Sequence, residues 1–185
     1  MLSPYMRNKY VHYFGLWDHD GDYVIGLEDF VQLLERMAKL TNLPEDSQQY
    51  KLLYEATVEL WTGIQQFADT NNDNHITLEE WLVYSEALLP LLKPMAEANI
   101  PTPMGDYIFR FMDKNGDGVI EVDTWRAFTY AWGIQDIPEE HFDWLDTNQD
   151  GKITYAEFSS LLYVWALSED STETGNLLFG RFNLI

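Results

Sequence analysis

Four stretches of twelve residues share one design, and no other feature limits the fold of this chain so strongly. They read DHDGDYVIGLED at 18–29, DTNNDNHITLEE at 69–80, DKNGDGVIEVDT at 113–124 and DTNQDGKITYAE at 146–157. Each has Asp or Asn at positions 1, 3 and 5 and Ile at position 8, namely Ile25, Ile76, Ile120 and Ile153. Repetition of this kind points to one supersecondary unit used several times.

The residue types describe a site for a hard cation. Calcium takes six to eight oxygen ligands, and a tight loop can turn the side chains of positions 1, 3 and 5 inward. Position 7 adds a backbone carbonyl, position 9 often a water, and position 12 both oxygens of a Glu. The fourth loop meets every demand through Asp146, Asn148, Asp150, the carbonyl of Lys152, and Glu157, with Gly151 at the sharp turn. The second supplies Asp69, Asn71, Asp73, the carbonyl of His75, and Glu80, with Asn74 at the turn. The first offers Asp18, Asp20, Asp22 and the carbonyl of Val24, but ends in Asp29 and places Tyr23 at the turn. A shorter carboxylate that binds through one oxygen suits magnesium, which prefers six ligands at shorter distance. Ca²⁺ is therefore expected in this loop with Mg²⁺ competing. The third begins well with Asp113, Asn115, Asp117 and the carbonyl of Val119, yet ends in Thr124, which cannot be a bidentate carboxylate. Glu121 at position 9 could compensate in part, and binding there stays open.

Apolar residues at helical spacing flank every loop. Met6, Tyr10, Phe14 and Trp17 precede the first, and Phe30, Leu33, Leu34 and Met37 follow it. Tyr50, Leu53, Tyr54, Val58, Trp61 and Ile64 mark a long helix into the second. Ile108, Phe111 and Met112 precede the third, with Trp125, Phe128 and Trp132 after it; Phe142 and Leu145 precede the fourth, with Phe158, Leu161, Leu162 and Trp165 after it. The pattern resembles the EF-hand. The expected fold is all-α, with four EF-hands in two pairs and short β-bridges between paired loops. The expected division is an N-terminal pair at 1–90, a linker at 91–102, a C-terminal pair at 103–168 and an apolar tail at 169–185 packed back on the core.

Charge removes other classes of partner. The 11 basic and 31 acidic residues give a net charge of −20, which repels phosphate backbones and anionic membranes. No nucleic-acid partner and no stable membrane anchor are expected. The chain has no Cys, hence no disulfide and no thiolate site. Residues 1–30 hold no long apolar run of the signal-peptide kind, because Asp18, Asp20 and Asp22 interrupt it. A cytoplasmic monomer is expected. No nucleophile–base pair stands out, and the metal loops account for the carboxylates, so no enzyme is expected.

Beyond the loops, the chain resembles the invertebrate sarcoplasmic calcium-binding proteins, and within them the calexcitin-like members. The likeness rests on Asp29 closing the first loop, on about forty residues between the first two loops with a helix ending WTGIQQFADTNNDNHITLEEW, and on the tail GNLLFGRFNLI. It implies a compact globule with closely packed EF-hand pairs and a role in cytosolic calcium and magnesium buffering. Family members often have a degenerate fourth loop and a good third one, the reverse of this chain. Calexcitin-like members are linked to nucleotide binding and neuronal signalling, but no G-x-x-x-x-G-K-[ST] loop is present, so GTP binding does not follow.

Buffer and sensor remain alternatives. Leu177, Leu178, Phe179, Phe182, Leu184 and Ile185 are too apolar to stay in water, and burying one such side chain is worth ~1.5–3 kcal/mol. A tail that fills the cleft between EF-hand helices would act as a built-in target peptide, favouring a buffer or a sensor switched by tail release. The 6 Met against 7 Trp, 11 Tyr and 10 Phe favour rigid packing over an adaptable groove. A further alternative is a luciferin-type carrier, since photoproteins share the fold and, like this chain, place His (His12) before the first loop and Trp (Trp125) after the third. The stretch Phe158 to Leu167 contains no His, which sets the chain apart from photoproteins.

Overall fold

The computed structural model describes residues 1–113, 115–134, 137–138 and 140–182. The described residues form eight helices and four two-residue strands: α1 Pro4–Trp17, β1 Val24–Ile25, α2 Leu27–Leu40, α3 Gln48–Ala68, β2 Ile76–Thr77, α4 Leu78–Glu97, α5 Pro103–Met112, β3 Val119–Ile120, α6 Val122–Ala131, α7 His141–Leu145, β4 Ile153–Thr154 and α8 Tyr155–Leu167. A 3₁₀ turn follows at Thr174–Leu177. The position-8 isoleucines pair the loops antiparallel, Ile25 with Ile76 and Ile120 with Ile153. All four are buried, so each bridge is also a core contact.

The chain forms two units. The first holds Met1–Leu88 with Ala131–Gly133 and Phe182. Its first helix starts at Ser3, whose hydroxyl accepts from the Met6 amide at 3.2 Å, with Pro4 at the first helical position, where the missing N–H costs nothing. Its core is aromatic. Trp17 stacks on Phe30 with centroids 4.3 Å apart and meets Trp132 edge-on at 4.8 Å, while Phe30 lies 5.5 Å from Trp61. The indole N–H of Trp81 donates to the Tyr10 carbonyl at 3.1 Å, so its one polar atom is satisfied in the interior. Phe182 packs against Tyr5 at 5.3 Å and His12 at 6.0 Å.

The second unit holds Leu89–Tyr130 and Ile134–Arg181. Thr102 caps α5 by accepting from the Gly105 amide at 3.0 Å. The 3₁₀ turn of the tail packs on α7 and α8. Gly175 permits this approach, since a Cβ there would lie 2.5 Å from that of Val164. Leu178 and Phe179 are fully buried, with Phe179 edge-on to Trp165 at 5.0 Å. Leu177 is half-buried; Leu184 and Ile185 lie outside the described residues.

Two details go beyond the sequence reading. The segment expected as a linker from residue 91 is helical to Glu97, with Pro90 and Pro94 inside α4. Each proline removes a donor to the carbonyl four residues back, but both prolines are exposed, where water can replace that donor. The apolar stripe of α3 is buried only in its second half, at Leu60, Trp61, Ile64 and Ala68, and Tyr54 and Leu52 are exposed.

Candidate metal centre

The four loops share a scaffold of side-chain to backbone bonds. In the second, Asp69 accepts from the amides of Asp73 at 3.2 Å and Asn74 at 2.9 Å, Asn71 accepts from Asp73 at 2.9 Å, and Asp73 accepts from His75 at 2.9 Å. In the fourth, Asp146 accepts from Asp150 at 3.2 Å and Gly151 at 2.7 Å, Asn148 from Asp150 at 2.9 Å, and Asp150 from Lys152 at 3.0 Å. The third repeats the set with Asp113 accepting from Asp117 and Gly118, Asn115 from Asp117, and Asp117 from Val119. The first is sparser: Asp18 accepts from Tyr23 at 3.2 Å, Asp20 from Asp22 at 3.1 Å, and Asp22 from Val24 at 3.0 Å. These bonds orient the side-chain oxygens of positions 1, 3 and 5 in each loop.

The backbone accommodates them by left-handed residues at two positions per loop. Position 6 has φ 74° at Tyr23, 68° at Asn74, 82° at Gly118 and 82° at Gly151. Position 4 is also left-handed, at Gly21, Asn72, Gly116 and Gln149, a requirement the sequence reading did not single out. Its signal was present, since Gly and Asn fill three of the four positions. At Asn74 the structure adds a brace, because Gln65 Nε2 donates to Asn74 Oδ1 at 2.9 Å. The His75 ring turns aside to the Asp73 carbonyl (Nδ1, 3.1 Å) and Glu28 (Nε2, 3.6 Å), leaving its own carbonyl as the candidate ligand.

Position 12 separates the loops. The Glu80 carboxylate accepts from the amide and hydroxyl of Thr70 at Oε1 and of Thr77 at Oε2. Burial acts to raise its pKa, but these four bonds outweigh it and bring it down to about 2. Glu157 is held alike by Thr147, Asn148 and Thr154, and the same balance lowers its pKa. Asp29 is 2 % exposed; it accepts from the amides of His19 at 2.9 Å and Gly26 at 2.8 Å. Burial raises its pKa, and the two amides offset this only in part. Thr124 is buried and brings no carboxylate to the third loop.

The first loop passes a direct test for a cation. Oxygens of Asp18, Asp20 and Asp22 lie within 4.8 Å of one another. Asp18 Oδ1 is buried and has no hydrogen-bond partner. A buried anionic oxygen without a donor costs several kcal/mol, and a bound cation removes that cost. Oxygen-only donors of this kind suit calcium and magnesium.

A family model described as EF hand matches residues 66–83, 104–129 and 140–162, covering the second, third and fourth loops. The beta chain of the sarcoplasmic calcium-binding protein of Penaeus sp. is 31% identical over 124 residues, 65% of this chain and 62% of that protein. The solved sarcoplasmic calcium-binding protein of amphioxus superposes with a TM-score of 0.76 at 20% identity, covering 98% of this chain and 99% of its own. The calcium-loaded apo form of the coelenterazine-binding protein from Renilla muelleri gives a TM-score of 0.76 at 18% identity, covering 97% and 99%. Repeated loops, paired isoleucines and these likenesses agree: the chain carries calcium-binding EF-hand loops and is similar to the sarcoplasmic calcium-binding proteins.

Proposed function

We propose that the protein is a cytoplasmic Ca²⁺/Mg²⁺ buffer that acts as a monomer and binds about three calcium ions. Loops two and four supply the calcium-selective sites, through Asp69, Asn71, Asp73, His75 and Glu80 and through Asp146, Asn148, Asp150, Lys152 and Glu157. Loop one, through Asp18, Asp20, Asp22, Val24 and Asp29, takes calcium in competition with magnesium. The tail carries this reading. Leu178 and Phe179 are fully buried in the second unit, so apolar surface on α7 and α8 that a sensor would offer to a target is covered by the chain itself.

Calorimetric titration with calcium, with and without ~1 mM magnesium, tests it. Sites at ~10⁻⁹–10⁻⁸ M weakened by magnesium support a buffer; sites at ~10⁻⁷–10⁻⁵ M indifferent to magnesium indicate a sensor. A carrier for an aromatic ligand draws on the fold likeness to the coelenterazine-binding protein. The contacts of Trp17 with Phe30 and Trp132 favour rings packed on each other instead. Absorbance change or light on incubation with coelenterazine would favour the carrier.

A further inference from the structure

We propose that Thr70 and Thr147, at the second position of loops two and four, are positioning residues that hold the Glu80 and Glu157 carboxylates back from the ion site until calcium displaces their hydroxyls. The inference rests on these two loops binding calcium through those glutamates.

An ionised carboxylate has about four lone-pair sites. All four are used at Glu80: Oε1 takes the Thr70 amide at 3.1 Å and hydroxyl at 2.7 Å, and Oε2 takes the Thr77 amide at 3.0 Å and hydroxyl at 2.8 Å. Glu157 is filled in the same way, by the Thr147 hydroxyl at 2.9 Å, the Asn148 amide at 3.3 Å, and the Thr154 amide at 3.0 Å and hydroxyl at 2.8 Å. A calcium ion bound through both oxygens needs one lone pair on each. The amides are fixed by the backbone. The hydroxyls can rotate away, so they are the donors that yield.

Loop one provides the contrast. In loop one, positions 2 and 9 are His19 and Gly26, which carry no hydroxyl, and Asp29 accepts from their backbone amides at 2.9 and 2.8 Å. The position-9 hydroxyls have a second duty, since Thr77 and Thr154 also accept from the Glu80 and Glu157 amides at the helix starts. Position 2 carries no cap, so its hydroxyl can be removed without loosening α4 or α8.

The test compares Thr70→Val, Thr70→Ser and Glu80→Gln in the full chain, with binding at loop two followed by the Asn74 amide resonance. Thr70→Val should tighten calcium binding at that loop roughly three- to tenfold, mostly through faster association, since a hydrogen bond contributes about that much net. Thr70→Ser should restore the wild-type value. In the calcium-free protein the Thr70 hydroxyl proton should be protected from solvent exchange and lose that protection when calcium is added. Unchanged or weaker binding in Thr70→Val, or a hydroxyl still protected with calcium bound, overturns the proposal while Glu80→Gln abolishes the site. If Glu80→Gln leaves loop two unaffected, the site assignment itself fails, and the proposal with it.

Discussion

His141 ties the tail to the fourth EF-hand: its Nε2–H donates to the Leu177 carbonyl at 2.7 Å. Its Nδ1 accepts from the Trp125 indole N–H at 3.3 Å, so one ring joins α6, α7 and the 3₁₀ turn. With one nitrogen donating and the other accepting, the ring is neutral. The residue is 3 % exposed.

Burial depresses the His141 pKa below its ordinary 6.5, and the Leu177 carbonyl opposes this only in part. The unfolded state therefore takes up the proton first. The stability owed to neutral His141 is complete above pH ~6.5 and falls as pH drops toward the depressed folded value. Melting curves in chelator from pH 8 to 5 should show this loss, and His141→Gln should flatten it. A wild-type curve parallel to that of the variant would refute the account.

Calcium should raise the melting temperature strongly. Three divalent ions would take the net charge from −20 to −14, and ligand bound only to the folded state stabilises it by mass action, ~4 kcal/mol at a thousandfold excess over Kd. Scanning calorimetry in calcium and in chelator measures it; superimposable scans would contradict the site assignments.

Position 12 is expected to decide occupancy. Glu157→Gln should remove the fourth site, and Thr124→Glu should improve the third, whose first half already has the bond pattern of loops two and four. Titration that finds no added affinity in Thr124→Glu would place the defect of that loop elsewhere.

Tyr23 holds φ 74° with its side chain 82 % exposed, so it bears backbone strain with little packing in return. Tyr23→Gly should stabilise the calcium-free first unit by ~1 kcal/mol. Urea denaturation in chelator would detect this, and a destabilised variant would argue against it.

Phe179 is fully buried beside Trp165. Phe179→Ala should cost ~3–5 kcal/mol and alter Trp165 emission. A loss below ~1 kcal/mol would mean that the tail is not part of the core.

Much of this was legible in the residues. Fixed spacing marked positions 1, 3 and 5 as the candidate ligands, because a twelve-residue loop leaves few ways to gather oxygens, and Ile at position 8 showed the bridges. The helical course of 91–97 was not legible, because proline penalises a helix only where its freed carbonyls find no other donor. Tyr50 and Tyr54 marked the long helix α3, but helical spacing defines a face and not whether anything covers it.

Sequence by itself determined the four loops, their pairing and the defect at Thr124, since these depend on contacts within twelve residues or between paired repeats. The tertiary structure decided that the tail lies on α7 and α8 under the His141 bond and that Trp132 joins the first unit. It also set the hydroxyl cradle around Glu80 and Glu157. Such features depend on which distant surfaces and rotamers meet, and local spacing carries no record of that.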